Sequence, residues 1–150
     1  MRLVIQRVSE AAVTIDGVVH NSIARGLMIL VGVEQGDTMT DLDWIVAKCL
    51  NMRIFDDQAG VMNLSVKDVA GEILAISQFT LTASTRKGNR PSYIRAERPE
   101  IAESFYLQFC EKLSQQLGRE VKRGIFGADM KVSLINDGPV TIIIDSKLKE

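Results

Sequence analysis

The feature that most restricts the fold of this chain is an unbroken apolar run at residues 27–33, LMILVGV. The run contains β-branched residues and is too short for a typical helix, so it predicts a strand that is buried on both faces. Such a strand belongs in the centre of a sheet rather than at its edge. We therefore take residues 27–33 as a core element of the fold.

The rest of the chain shows the periodicities of further strands and of two helices. After Thr40 the apolar residues change to helical spacing, with Thr40 or Asp41 as the candidate N-cap. Pro99 suits the first position of a second helix, and Gly118 suits its C-terminal cap. The predicted helices are residues 40–51 and 99–117, and the predicted strands are residues 3–5, 11–15, 18–23, 27–33, 72–79, 121–126, 130–135 and 140–144.

Turn-forming residues separate these predicted elements. Asp16-Gly17 predicts a hairpin, and residues 53–67 predict a strand followed by loops. Residues 127–129 and 136–139 contain glycine and would be turns between the last three strands. The whole pattern predicts about eight strands and two helices. It is typical of a single-domain α/β protein spanning residues 1–150, with mixed or antiparallel, barrel-like sheets and the helices packed on them.

Composition limits the class of protein. The chain has 150 residues, of which 46% are hydrophobic, so it fits one domain with a substantial core. The first residues do not resemble a secretory leader, and no stretch approaches the roughly 18 apolar residues of a membrane span. Cys49 and Cys110 fall on apolar faces of the predicted helices, which is typical of reduced structural thiols. We expect a cytoplasmic protein without membrane contact.

The charged residues are unevenly distributed, although the net charge is only −1. Between positions 86 and 98 there are five basic residues and a single acidic residue, Glu97. Two interpretations remain open for this segment. It is either an ordinary solvated loop or an arm that contacts phosphates, since clustered Lys and Arg supply the sequence-independent part of nucleic-acid affinity.

The sequence lacks the residue patterns of several common active sites. The only histidine, His20, has no carboxylate, serine or cysteine in a motif around it, which argues against a catalytic triad or a Cys-His pair. No CxxC, HExxH, GxxxxGK[ST] or GxGxxG pattern occurs, so we expect neither a metal nor a nucleotide cofactor. Any catalysis has to use few ionisable groups.

Two polar segments at strand ends are the candidate site. The segment Ser77-Gln78-Phe79-Thr80 has two interpretations. In one, the end of the strand frays into a loop. In the other, the Phe79 and Thr80 amides are free of sheet pairing and donate to a carbonyl oxygen, while Gln78 or Thr80 positions a water or nucleophile. Asn136-Asp137-Gly138-Pro139-Val140-Thr141 is, on turn chemistry alone, a tight turn with a trans Pro139. Gly138 would nevertheless let a ligand approach the backbone closely.

The two segments together resemble the motif pair of the D-aminoacyl-tRNA deacylases. Co-linear pieces strengthen the resemblance: MRLVIQRV at the N-terminus, RIF at 53–55, MNLS at 62–65, TRKGNRPS at 85–92 and FGADMKVSL at 126–134. The resemblance implies a hydrolase that cleaves the ester of D-aminoacyl-tRNA, and of glycine mischarged on alanine tRNA, without a cofactor. It also implies a homodimer with active sites at the subunit interface. The partner is then the 3′ end of an aminoacylated tRNA.

The resemblance also implies residue roles. Ser77, Gln78, Phe79 and Thr80 would form the catalytic carbonyl-binding segment, and Phe126 and Ala128 would lie near the adenosine. Gly138 and Pro139, as a cis peptide, would enter the partner subunit's site and exclude L-amino acids, with Arg7 holding that element in place. Arg86, Lys87 and Arg90 would contact tRNA, although Tyr93-Ile94-Arg95 departs from the usual family pattern.

Two other functions remain open at this stage. One is a non-catalytic RNA-binding module, favoured by the basic loop and the shortage of catalytic side chains. The other is an esterase of small metabolites that uses Thr80 as its nucleophile, although a threonine hydroxyl needs a base and none is evident near it in sequence. For the deacylase we favour attack by water that the free 2′-hydroxyl of the terminal adenosine helps to activate.

Overall fold

A computed structural model of the protein describes residues 1–150 and contains eight strands, two α-helices and one short 3-10 helix. In chain order the elements are β1 Arg2–Ile15, β2 Val18–Ile23, β3 Gly26–Gly32, α1 Met39–Asn51, β4 Phe55–Asp56, β5 Met62–Leu64, β6 Glu72–Ser77, the 3-10 helix Phe79–Thr82, α2 Pro99–Leu117, β7 Lys122–Arg123 and β8 Lys131–Asp145. The predicted single-domain α/β class with two helices is confirmed.

The main sheet is mixed and nearly closes on itself. Its strands run in the order β2-β1-β3-β6-β7, and β8 pairs with the other side of β1. The pairs β3–β6 and β6–β7 are parallel, whereas β1 is antiparallel to β2, β3 and β8. The Asn21 side chain of β2 donates to the Arg123 carbonyl of β7 at 2.7 Å, so the sheet curls until these strands meet. This is the barrel-like arrangement that the sequence predicts.

Strand β3 is buried on both faces, as its unbroken apolar sequence predicts. On one face Leu27, Ile29 and Val31 belong to a cluster of 24 buried residues that includes the apolar faces of α1 and α2. On the other face Met28 joins a smaller cluster of seven residues inside the curled sheet. The protein therefore has two apolar layers, and β3 separates them.

The predicted N-cap of α1, Thr40 or Asp41, is wrong by two or three residues, and the helix begins at Met39, one residue earlier than predicted. The N-cap is Thr38, and its hydroxyl accepts a hydrogen bond from the Asp41 amide while the Asp41 carboxylate accepts from the Thr38 amide. Asp41 is therefore the reciprocal partner in this capping box rather than the cap itself. Burial alone would raise the pKa of Asp41, but hydrogen bonds from Thr38 and Lys147 hold it below its usual range.

The cap of α2 and the state of the two thiols agree with the sequence. Gly118 is the C-cap of α2 in the left-handed conformation, with φ 78°. Cys49 and Cys110 are free and buried, and burial raises the pKa of both thiols, that of Cys110 to about 12. Neither helix is long and apolar enough to cross a membrane.

Several predicted strand boundaries are wrong, because β1 and β8 are each one long strand where the sequence predicts two short ones. Predicted strands 3–5 and 11–15 are both part of β1, which pairs with β3 through its first half and with β2 through its second. The side chains of Arg7 and Val8 are both buried at the point where the partner strand changes, so the alternation is interrupted without a break in the strand. The strand predicted at 121–126 shrinks to β7, which pairs only with Leu74 and Ala75.

The segment at residues 136–139 is not a turn. It lies inside β8, where Asn136 is opposite Val8 and Thr141 is opposite Gln6, so extra residues of β8 bulge past a single residue of β1. Side chains satisfy the displaced backbone: the Asn136 side chain accepts from the Val140 amide at 2.9 Å. Turn-forming residues here build a wide bulge, because β1 continues opposite them and holds the direction of the strand.

Candidate active site

The first part of the site forms where β6 ends. Pairing with β3 stops at Ser77, after which the Gln78 amide donates to the Val31 carbonyl at 2.7 Å and the chain enters the 3-10 helix. The predicted strand therefore ends two residues earlier than expected. Since the first intrahelical bond runs from the Leu81 amide to Gln78, the amides of Phe79 and Thr80 have no acceptor within the helix. Two adjacent backbone donors are thus available beside the end of a rigid strand.

A cleft of about 760 Å³ opens beside this segment. Ser77, Gln78 and Phe79 line it, and so do Phe126 and Ala128, so the structure brings these five predicted site residues together. The lining is predominantly apolar, and β3 and α2 contribute to it. Such a cleft with a few polar groups is typical of a small-molecule or nucleotide site.

Buried Tyr106 fixes the floor of the cleft. Its hydroxyl donates to the Ala75 carbonyl at 2.8 Å, and its ring lies 6.2 Å from that of Phe126 between centroids. Burial raises the pKa of Tyr106 far above its ordinary value, so this hydroxyl remains a hydrogen-bond donor. The wall that carries Phe126 therefore rests on a side chain anchored to β6, the strand that ends at Ser77.

Thr80 occupies a different position from its neighbours. It does not line the cleft, and its hydroxyl accepts a hydrogen bond from the Gln78 side-chain amide. It makes no hydrogen bond to a histidine or a carboxylate that could act as a base. The geometry therefore gives no support to Thr80 as an activated nucleophile.

Sequence reasoning missed several residues of the cleft wall. The charged side chains are Glu97, Arg98 and Asp129, and Tyr93 adds a polar aromatic ring. Glu97 and Arg98 belong to the charged segment at 86–98 and directly precede the helix that begins at Pro99, and Asp129 follows Ala128, but none of these signals places them at the cleft. Their approach to the cleft depends on how α2 packs, which the local pattern does not encode.

Gly138 and Pro139 lie outside this cleft, in the bulge of β8. Their peptide bond is cis, as the resemblance implies and contrary to the expectation from turn chemistry. Arg7, only 7% exposed, supports the bulge by donating from Nε to the Asp137 carbonyl at 2.8 Å. Its Nη1 donates to the Ile54 carbonyl at 2.8 Å and contacts the Asp56 carboxylate at 3.2 Å.

The two motifs are far apart within one chain. The bulge of β8 lies opposite Arg7 of β1, which pairs with Leu27 of β3, which in turn pairs with Ile73 of β6. Ile73 is thus three strand spacings from the bulge, and Ser77 lies four residues further along β6. Along the sheet this corresponds to roughly 14 Å across the strands and roughly 13 Å along them. Within one chain, Gly138 and Pro139 therefore do not contribute to the cleft.

The basic loop lies beside the cleft and is held at its base. The amide and carbonyl of Ser84 pair with those of Ser92, with both hydrogen bonds at 2.9 Å. Arg95 does not face solvent freely: it donates to the Thr82 carbonyl at 3.1 Å and lies 3.9 Å from the Glu34 carboxylate. Four of the five basic residues between positions 86 and 98 are exposed and belong to no ion pair. They are Arg98, directly before α2, and the three predicted tRNA contacts Arg86, Lys87 and Arg90.

Comparisons with known proteins agree on one family. The family model described as D-Tyr-tRNA(Tyr) deacylase matches residues 4–145. Over 150 residues and the full length of both chains, the protein is 63% identical to a D-aminoacyl-tRNA deacylase of Bacteroides fragilis and 61% identical to that of Flavobacterium psychrophilum.

Solved structures share the fold. A structure titled c-Myc DNA Unwinding Element Binding Protein is 43% identical, with a TM-score of 0.93 and coverage of 97% of this chain and 98% of that one. A probable eukaryotic D-amino acid tRNA deacylase is only 17% identical, with a TM-score of 0.82 over 95% of this chain and 97% of that one, and shows the fold alone. By family model and full-length identity, the chain belongs to the D-aminoacyl-tRNA deacylases, hydrolases that act on the ester of an aminoacyl-tRNA.

Proposed function

We propose that this protein cleaves D-aminoacyl-tRNA, and glycine mischarged on alanine tRNA, while sparing L-aminoacyl-tRNA. The observation that carries the proposal is the pair of unpaired amides at Phe79 and Thr80 beside an apolar cleft that lacks a nucleophile–base pair. Ester hydrolysis develops negative charge on the carbonyl oxygen, and fixed N–H donors stabilise that charge. A site of this composition suits a reaction in which water attacks a carbonyl that the backbone polarises.

In this proposal the chain positions the ester and the substrate helps to activate the water. Ser77 and Gln78 hold the strand end and the carbonyl, and Phe126 and Ala128 contact the terminal adenosine. The 2′-hydroxyl of that adenosine lies next to the scissile ester and can assist the attacking water. This accounts for catalysis without a histidine, a metal or a side-chain base near Thr80.

We also propose that a second copy of the chain completes the site. Strand β8 pairs with β1 on one side only, and its exposed face carries Ile135 and Ile143, the latter 64% exposed. Exposed apolar side chains along a sheet edge favour association with another copy. The bulge with Gly138 and Pro139 lies on the same strand, so the partner's bulge can reach this subunit's cleft. Rigid backbone there would occupy the space that an L side chain needs.

The basic loop and the proposed substrate indicate the cellular setting. Arg86, Lys87 and Arg90 are exposed cations without carboxylate partners, which suits contact with tRNA phosphates. Aminoacylated tRNA is a cytoplasmic substrate, so the proposal places the protein in the cytoplasm.

The direct test is hydrolysis of tRNA charged with D-tyrosine, L-tyrosine or glycine. We expect release of D-tyrosine and glycine and retention of the L-ester. Equal hydrolysis of both enantiomers would refute the chirality filter. Thr80→Ala should remain within about tenfold of wild type if water is the nucleophile, whereas loss of nearly all activity would support a threonine nucleophile.

The shared site has its own test in mixed dimers. Ala128→Trp fills the cleft and Gly138→Ala disturbs the bulge, so each variant alone should be inactive. In dimers co-expressed at equal amounts, half the dimers would be mixed, and each would contain one intact cleft facing one intact bulge, giving about a quarter of wild-type activity. If no activity returns in the mixed dimers, the two motifs do not meet between subunits.

A further inference from the structure

Two aromatic rings at the mouth of the cleft are exposed although they are apolar. Phe79 is 56% exposed and Tyr93 is 38% exposed. Their rings meet edge to face, with centroids 5.1 Å apart and an interplanar angle of 71°. Both residues line the cleft. Rings that are packed against each other yet open to solvent form a rigid apolar platform.

The platform is continuous with the basic loop. Tyr93 directly follows Ser92, whose backbone pairs with Ser84 to close the loop. Beyond it, the Gln35 side-chain amide donates to the Ile94 carbonyl at 2.9 Å, and the Gln35 backbone amide donates to the Arg95 carbonyl at 2.9 Å. Tyr93 is therefore fixed by hydrogen bonds on both sides. The loop that carries the exposed Arg86, Lys87 and Arg90 ends at Ser92, the residue before Tyr93 in the chain.

We propose that the Phe79–Tyr93 platform stacks the nucleobase that precedes the terminal adenosine of tRNA, and that Tyr93 is a substrate-positioning residue. This inference rests on the proposed function and extends its substrate contact by one nucleotide. Single-stranded RNA ends are commonly bound by stacking unpaired bases on aromatic rings while cations contact the phosphates. Here the two rings line the cleft, and the loop that carries the exposed cations joins the chain directly before Tyr93.

The test compares three substrates that carry the same D-amino acid. They are the aminoacyl ester of adenosine, that of the dinucleotide CpA, and that of a dinucleotide whose first position lacks a base. The readout is the ratio of kcat/KM for CpA to kcat/KM for adenosine. Since one stacked base contributes about 5- to 150-fold in affinity, Tyr93→Leu should lower this ratio by a factor in that range. The abasic dinucleotide should lower it similarly with wild-type protein.

Two variants separate stacking from a general disturbance of the loop. Tyr93→Phe retains the ring and should restore the wild-type ratio. Ile94→Ser changes the neighbouring side chain, which is 79% exposed and does not line the cleft, and should leave the ratio unchanged. Circular dichroism melts should show that Tyr93→Leu folds like wild type.

Two results would overturn the inference. One is an unchanged ratio in Tyr93→Leu. The other is a loss of kcat/KM in Tyr93→Leu that is equal for the adenosine and CpA esters but larger for D-tyrosine than for D-alanine. In that case the platform would contact the aminoacyl group rather than a nucleobase. If wild-type protein hydrolyses none of the three esters, the proposed function itself is refuted. That outcome is distinct from a failure of this inference, in which the esters are hydrolysed but the ratio is the same in Tyr93→Leu and wild type.

Discussion

Replacing Arg7 tests how the bulge of β8 is held. The guanidinium is buried and donates three hydrogen bonds at once, to the Asp137 carbonyl, the Ile54 carbonyl and the Asp56 carboxylate. A lysine in its place keeps the charge but has no planar fork, so it cannot serve both carbonyls. The Asp137 carbonyl directly precedes Gly138, and its release would loosen the peptide that we propose as the chirality filter.

The magnitude follows from the contacts that Arg7→Lys loses. Each carbonyl left without a donor costs about 1–3 kcal/mol, and the lysine can still satisfy one of them. We expect a loss of about 1–3 kcal/mol in the free energy of unfolding, below the roughly 5–15 kcal/mol that stabilises a domain of ordinary size. The variant should therefore fold, with a melting temperature lowered by about 2–12 °C.

The assay pairs urea unfolding with hydrolysis of D- and L-tyrosyl-tRNA. Arg7→Lys should lower the ratio of D to L hydrolysis by about tenfold or more, equivalent to roughly 1.4 kcal/mol of lost discrimination. Arg2→Lys is the matched control on the same strand, because Arg2 binds the Asp145 carboxylate and the Leu81 carbonyl instead of the bulge. It should lose stability without changing the ratio. An unchanged ratio in Arg7→Lys, or an equal change in Arg2→Lys, would refute the assigned role.

Three further predictions follow from single contacts. Gly138→Ala should abolish D-ester hydrolysis, because the new Cβ would lie 2.8 Å from a Val140 methyl at a φ of 139°; activity assays on the folded variant check this. Asp41→Asn should cost about 1 kcal/mol of unfolding free energy at pH 7, and since the folded-state pKa of Asp41 is lowered, urea titrations should show this cost shrinking as pH falls below about 4. Cys49 and Cys110 should resist iodoacetamide at pH 8 until the protein is unfolded, as mass spectrometry would show, because both thiols are buried with raised pKa.

Predictions succeeded where a local pattern was sufficient. The unbroken run at 27–33 forms the doubly buried β3, and Pro99 and Gly118 bound α2. The roles of Ser77 to Phe79, Phe126 and Ala128 stay predictions, and the structure places these residues around one cleft. Errors arose where long strands carry polar or turn-forming residues in their interior. The segment at 136–139 has every residue type of a turn, yet β1 pairs on both sides of it and keeps the chain in a strand.

The sequence by itself determined the two helices, the apolar strands and the pair of motifs, since these follow from periodicity, caps and the chemistry of short segments. Only the tertiary structure decided that Arg7 supports the bulge at Gly138, that Tyr93 meets Phe79, and that the two motifs lie far apart within the chain. These relations join residues distant in the chain. They depend on strand register and sheet curvature, which arise from the packing of the whole core rather than from any local pattern.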